Sequence, residues 1–247
     1  FFRGGYTYDD KYMATVTARV DGSSRFGANN KYALFPSLGL GWMISNEEFM
    51  KDITWIDQLK LHTSYGVTGN SEIGQFNSLS TYSFGTTLIG GARVPSASPT
   101  RLSNPDLRWE KTAQFDVGFN LNMFKNRLNF DVSYYYKYTD DLLLSAPIPA
   151  SSGYNSIMRN IGAVSNQGID AMVTFVPVQT KDFEWNSTLN FNYNSNKVEK
   201  LANNNADLTT DSWLGGDVIM RVGEPLGSIY ILDRVGIKGE AFVAQYV

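Results

Sequence analysis

The chain has 247 residues, of which 43% are hydrophobic and 18% charged, and its formal net charge is −3. That apolar fraction is too high for a disordered segment, and without a Lys/Arg-rich run there is no basic patch for nucleic acid. The absence of cysteine excludes disulfides, thiolate metal sites and cysteine nucleophiles, and no window approaches the ~20 consecutive apolar residues of a transmembrane helix.

The chain opens on Phe1-Phe2-Arg3 and closes on "AFVAQYV", which reads as an internal piece of a longer chain. Tyr12, Ala14, Val16, Ala18 and Val20 alternate with Met13, Thr15, Thr17, Arg19 and Asp21, the period of a strand. After a Gly/Ser/Asn-rich interruption, Leu34, Pro36, Leu38, Leu40, Trp42 and Ile44 alternate with Phe35, Ser37, Gly39, Gly41 and Met43, which are assigned to the wet face. Residues 45–58 begin with Ser45, Asn46 and two glutamates and carry Phe49, Ile53 and Ile56 at helical spacing, so a short interfacial helix is expected there. Alternating runs follow at 59–68, 113–123, 127–138, 169–177 and 183–194. Each fits the ~10-residue segment of a membrane-spanning strand better than an average globular strand of about five or six.

Across the seven runs the apolar phase has 39 positions and no charged residue, where the chain-wide 18% would place about seven. The opposite phase has nine charged residues among 36: Arg19, Asp21, Lys60, Asp116, Arg127, Asp131, Lys137, Asp170 and Glu184. A soluble β-sandwich would also keep charge off one face. The connections separate the two cases. One set is short, at 9–11, 124–126 and 178–182, and the other is long, at 22–32, 69–109, 139–167 and 195–217. Short turns at one end and long polar loops at the other mark an outer-membrane barrel, whereas structureless loops beyond ~12 to 15 residues are uncommon in compact soluble domains. Aromatic residues collect at both strand ends. Tyr12, Trp42, Phe124, Phe183 and Trp185 lie at the short-turn end, and Tyr65, Tyr134, Tyr136, Tyr138 and Tyr193 at the long-loop end. The fold class is therefore all-β, a transmembrane antiparallel β-barrel whose apolar rows face lipid.

Chemistry-bearing residues are sparse. His62 is the single histidine, in the polar phase of its strand, and reads as a solvated lumen residue. Glu47-Glu48 and Asp140-Asp141 are adjacent acids without the separation that glycoside hydrolysis requires and read as solvated or cap-like acids, although Asp140-Asp141, at a loop base, has the chemistry to bind a cation. No G-x-S-x-G, H-E-x-x-H or phosphate loop is present, "GLGW" lacks the later glycine of a dinucleotide fingerprint, and "NST" at 186–188 lies within a strand. No enzyme activity, cofactor or metal is expected. Ligand contact is expected instead from loop aromatics among Ser, Thr, Asn and Gly: Tyr82, Phe84, Tyr154 and Trp213, with Phe76 beside them.

Several stretches carry a family resemblance: "DGSSRFGANNKYALFPSLGLGWMISNEEFM", "LKLHTSYGVTGN", "NPDLRWEKTAQFDVGFNLNMFKNRLNFDVSYYYKYTDDLLL", "NIGAVSNQGIDAMVTF" and "RVGEPLGSIY". In this order they resemble the SusC/RagA family of TonB-dependent outer-membrane transporters. The resemblance implies a barrel of about 22 strands, plugged by an N-terminal domain and capped by a SusD-like surface lipoprotein. Residues 1–247 would then form part of the barrel, with the plug, its TonB contact and the last strands outside this chain. The implied function is import of oligosaccharides or peptides across the bacterial outer membrane. The alternatives are a passive porin or adhesin barrel, and a secreted carbohydrate-binding or hydrolytic β-protein.

Overall fold

The computed structural model describes residues 1–27, 29–154, 156–210, 217–230, 232–238 and 241–246. In chain order, strands β1 (Phe2–Tyr8), β2 (Tyr12–Gly22), β3 (Tyr32–Met43) and β4 (Ile56–Asn70) are followed by a loop hairpin of β5 (Thr81–Ile89) and β6 (Ala92–Arg101). Then come β7 (Glu110–Met123), β8 (Leu128–Asp140), a second loop hairpin of β9 (Leu143–Pro147) and β10 (Ser156–Asn160), and β11 (Ala163–Gln179) with β12 (Glu184–Lys200). A small sheet of β13 (Leu208–Thr210), β14 (Asp217–Met220) and β15 (Ser228–Tyr230) precedes the pair β16 (Leu232–Lys238) and β17 (Ala241–Tyr246).

Eight strands form one antiparallel sheet in the order β1-β2-β3-β4-β7-β8-β11-β12, so neighbours in the chain are neighbours in the wall. Its edge strands do not meet, and the chain supplies an open stretch of barrel wall. The register keeps the two faces apart across every pair. One outward row runs Tyr6, Ala14, Leu40, Thr63, Val117, Tyr134, Ile169, Tyr193. The inward row beside it runs Thr7, Met13, Gly41, His62, Gly118, Ser133, Asp170, Asn192. A slip of one residue at any pair would exchange these rows.

The predicted strands are present, but several are longer than their alternating runs. β4, β7 and β8 have 15, 14 and 13 residues, and β11 and β12 have 17 each. Spanning takes about 9 to 11 tilted residues. The surplus lies mainly at the long-loop end, where backbone pairing continues but neither face is held to an apolar pattern. The long links are likewise not structureless, since two of them fold into hairpins. The strand β1, with Gly4-Gly5 inside it, adds to the seven predicted runs. At the short-turn end, Asp9 and Asp10 take φ of 52° and 49° beneath a Lys11 N–H bond to the Tyr8 carbonyl, and Phe124, Lys125 and Asn126 also have positive φ.

Residues 45–58 correct the expectation of an interfacial helix. Two 3-10 turns, Ile44–Asn46 and Glu48–Met50, are separated by Glu47 in an extended conformation. The Glu47 carboxylate accepts from the Tyr12 hydroxyl at 2.6 Å and from Trp42 Nε1 at 3.0 Å, and pairs with Lys11 Nζ at 3.4 Å. Those three bonds draw Glu47 back onto the strand ends and break the helical run.

Phe35 corrects the second expectation. It is buried rather than wetted, because β3 and β4 pair only from Met43/Lys60 to Ser37/Gly66 and then part. The opened seam is filled by Phe26, Phe35, Ile73, Leu107 and Trp109, with Ala33 and Val67 against them. Leu107 is 0% exposed, and the Trp109 ring stands 5.0 Å from Phe26 and 5.5 Å from Phe35. Polar bonds fasten three loops around this core. Trp109 Nε1 donates to the Lys31 carbonyl, Arg25 Nη1 to that of Ser71, and Asn104 Nδ2 to that of Met158. Arg108 forks onto Asp141 at 2.8 and 2.6 Å, and Asn160 Nδ2 donates to the carbonyls of Arg108 and Asp141. The carboxylate of Asp141 holds the Arg108 guanidinium above its usual range, and the pair leaves that acid committed to an arginine rather than open to a cation.

Two substitutions on β7 test the faces. Val117→Arg should destabilise the assembled barrel by about 2 to 4 kcal/mol, while Gln114→Arg should cost little. Urea unfolding in bilayers measures both, and equal losses would contradict the assignment. Leu107→Ala should cost about 2 to 5 kcal/mol within the loop core. Limited proteolysis on intact cells should then cut 71–109 faster, with the heat-modifiable barrel band unchanged.

Candidate functional site

Tyr82 and Phe84 fall in one phase of β5, opposite Pro99 and Ala97 of β6, and Leu88 continues the same face opposite Arg93. The other face of this ribbon carries Ser83, Gly85 and Thr87 opposite Ser98, Ser96 and Val94. Tyr82 is 58% exposed and Phe84 86% exposed, so the ribbon stands clear of the loop core with its rings outward. Tyr154 lies apart from them, half-buried in the turn between β9 and β10, where its N–H donates to Ser152 Oγ at 3.3 Å. Phe76 is 62% exposed at a φ of 60°. The structure thus joins Tyr82 to Phe84 and sets Tyr154 on a different hairpin, while Trp213 lies outside the described residues.

The inward face carries the polar groups. The His62 ring lies on Gly118, where an added Cβ would come within 2.8 Å of Nε2, and its Nε2 is 3.9 Å from Asp116 Oδ1. Among the described residues, no three His, Cys, Asp or Glu side chains gather into a metal site. Glu47 belongs to the aromatic clamp, and Lys51 Nζ lies 2.6 Å from Glu48 Oε1. The hydrogen bonds from Tyr12 and Trp42, with Lys11 beside them, hold the Glu47 carboxyl below its usual range. Sequence reasoning missed one feature of this face. β12 sends Asn186, Thr188, Asn190, Asn192, Asn194 and Asn196 inward in succession, a pattern legible in "NFNYNSN" as asparagine at every second residue.

The outward face at the short-turn end carries stacked rings. Tyr12 lies 6.5 Å from Tyr8 and 6.4 Å from Trp42, and Trp55 lies 6.2 Å from Phe124. A hollow of about 350 Å³ opens among Tyr6, Tyr8, Tyr12, Ala14, Leu40 and Trp42. Its rings occupy the height at which aromatic girdles meet lipid headgroups.

This architecture has known relatives. The family model for the TonB-dependent receptor-like β-barrel matches residues 1–226. TonB-dependent receptor P39 of Formosa agariphila is 41% identical over 237 residues, covering 96% of this chain and 22% of its own length. TonB-dependent receptor SusC of Bacteroides thetaiotaomicron is 34% identical over 257 residues, covering 95% of this chain and 25% of its own length. Among solved structures, the RagAB peptide importer in its closed-closed state matches 96% of this chain and 25% of that chain, with 34% identity and a TM-score of 0.84. In its open-open state it matches 99% of this chain and 28% of that chain, with 32% identity and a TM-score of 0.85. The chain thus spans about a quarter of the length of these relatives. With a family match over most of its residues and an eight-stranded wall of the same fold, the chain belongs to the β-barrel family of TonB-dependent receptors, outer-membrane proteins of the SusC/RagA type.

Proposed function

We propose that this wall belongs to an importer that carries oligosaccharides or peptides across the outer membrane. The solute is captured at the long-loop end together with a SusD-like surface lipoprotein. TonB acts through a plug region that lies outside this chain. The asymmetry of the two ends carries the reading: at one end, turns of a few residues and one longer link of two 3-10 turns, and at the other a buried loop core with a standing ribbon. The SusC relative and the RagAB peptide importer support it. No bond is made or broken. The barrier is crossed because the wall is lipid-compatible outside and hydrated inside.

Capture by this end follows from ordinary interface physics. Rigid aromatic anchors with satisfied polar surroundings dominate interface energetics, and Tyr82 with Phe84 offers such an anchor pair. Tyr154 and Trp213 are assigned to the same capture surface. Alanine at all four positions should lower solute uptake or lipoprotein retention about thirty-fold, the loss of one strong anchor of about 2 kcal/mol, with barrel assembly intact. Orientation is tested separately in an otherwise cysteine-free receptor. Ser80→Cys and Ser152→Cys should react with an impermeant maleimide on intact cells, and Lys125→Cys should react only after lysis. The reverse labelling would overturn the reading.

A further inference from the structure

The hollow at the short-turn end owes its shape to one small residue. Ala14 stands between Tyr6 of β1 and Leu40 of β3, and the next row of the same face brings Tyr8, Tyr12 and Trp42 together. In the outward row from Tyr6 to Tyr193 it is the smallest side chain, so rings and a leucine rise around an almost bare floor. The space of about 350 Å³ reaches from Tyr6 and Tyr8 of β1 to Leu61 and Thr63 of β4, so this chain's own strands supply both of its sides. A further strand paired to β1 would lie beyond Tyr6 and Tyr8, and whatever fills the barrel lies on the other face. The membrane is what meets this one. The Thr63 hydroxyl at the far wall already bonds the Asp116 carbonyl at 2.9 Å, so hydrocarbon entering the hollow leaves that group satisfied.

Charges run on from the tips of the rings. Glu47 Oε1 accepts from Tyr12 and Trp42, Glu47 Oε2 stands 3.4 Å from Lys11 Nζ, and Lys11 Nζ stands 3.1 Å from Asp9 Oδ2. An ammonium has three N–H donors, and Asp9 and Glu47 take two of those on Lys11, which leaves the third for an anion. The Asp9 side chain is 64% exposed and presents a carboxylate to a cation. Two acids around one base repel a headgroup that carries only a phosphate. They complement one in which an ammonium follows the phosphate, the phosphate on Lys11 and the ammonium on Asp9. We propose that the outward face of β1 to β4 seats one phospholipid with an ammonium-bearing zwitterionic headgroup, its acyl chain over Ala14 and its headgroup on Asp9 and Lys11.

The test uses the complete receptor in detergent, titrated with phosphatidylethanolamine or with phosphatidylglycerol of the same chains, and counts bound lipid by native mass spectrometry. One phosphatidylethanolamine should be held about five-fold more tightly than phosphatidylglycerol, the difference that one exposed charge pair makes. Ala14→Trp covers the floor with an apolar ring and should weaken that binding about fifteen-fold, a loss equal to two methylene contacts. Val117→Trp, on the same outward row but away from the hollow, should leave it unchanged. Asp9→Asn suits the φ of 52° at this turn and releases Lys11, so phosphatidylglycerol should then bind at least as tightly as phosphatidylethanolamine. That variant lies in the turn, outside the spanning strands, and decides the matter even where Ala14→Trp assembles poorly. Equal retention of the two lipids by the unaltered receptor, retention untouched by Ala14→Trp, or a preference that survives Asp9→Asn would overturn the seat. A receptor dimer that Ala14→Trp dissociates would assign the hollow to a second copy and overturn it as well.

Discussion

A backbone inside hydrocarbon has no water to bond, so each N–H and C=O must find a partner within the protein. An antiparallel wall in which every strand is paired on both sides meets that demand, and once it does, side chains alternate between two solvents. The outward row through Val117 and the inward row through Gly118 are one residue apart, yet one meets lipid and the other a hydrated interior. The exclusion of charge from outward positions, the polar inner wall and the fixed register all follow from that constraint.

Its hold ends at the edges of the bilayer, and the two edges are built differently. At the short-turn end the chain stays in the interface, and the Tyr8, Tyr12 and Trp42 rings stack while Glu47 fastens two of them to the loop. At the long-loop end the strands run into water, where ordinary globular packing takes over. There β3 leaves β4, and Phe35 joins Phe26, Leu107 and Trp109 in a core as dry as that of a soluble domain. A second core of Val164, Val198 and Leu201, packed by Met220 and Val222, sits at the ends of β11 and β12. Rigid loop bases of this kind leave the β5/β6 ribbon as the part that reaches outward.

What the sequence made legible follows the same division. Alternation within 113–123 or 127–138 identifies strands because lipid rejects charge residue by residue, and that signal needs no tertiary information. Past the bilayer the signal fades, so the first residues of β11 and the last of β12 read as loop although their backbones are paired. In residues 45–58 the spacing of Phe49, Ile53 and Ile56 favours a helix, and only the bonds from Trp42, just before this run, and from Tyr12, distant in the chain, show why Glu47 is extended. Phe35 reads as a wet-face residue for a like reason, since its partner Trp109 comes from a loop distant in the chain. The candidate rings were legible as residue types, but the face shared by Tyr82 and Phe84 was not, because a ribbon of Ser, Thr, Gly and Pro carries little alternation. The β12 asparagines were open to reading all along. A polar inner row obeys no composition rule, so nothing in the pattern singled them out.

The division of the wall into a lipid face and a water face is most directly measured by spin labels placed singly at each position from 113 to 123 of the complete receptor in bilayers. Collision rates with oxygen, which concentrates in hydrocarbon, and with a water-soluble nickel chelate should alternate out of phase. Oxygen should peak at Phe115, Val117, Phe119 and Leu121, and the chelate at Gln114, Asp116, Gly118 and Asn120. Collision rates that show no two-residue period, or that peak together at the same positions, would contradict the account.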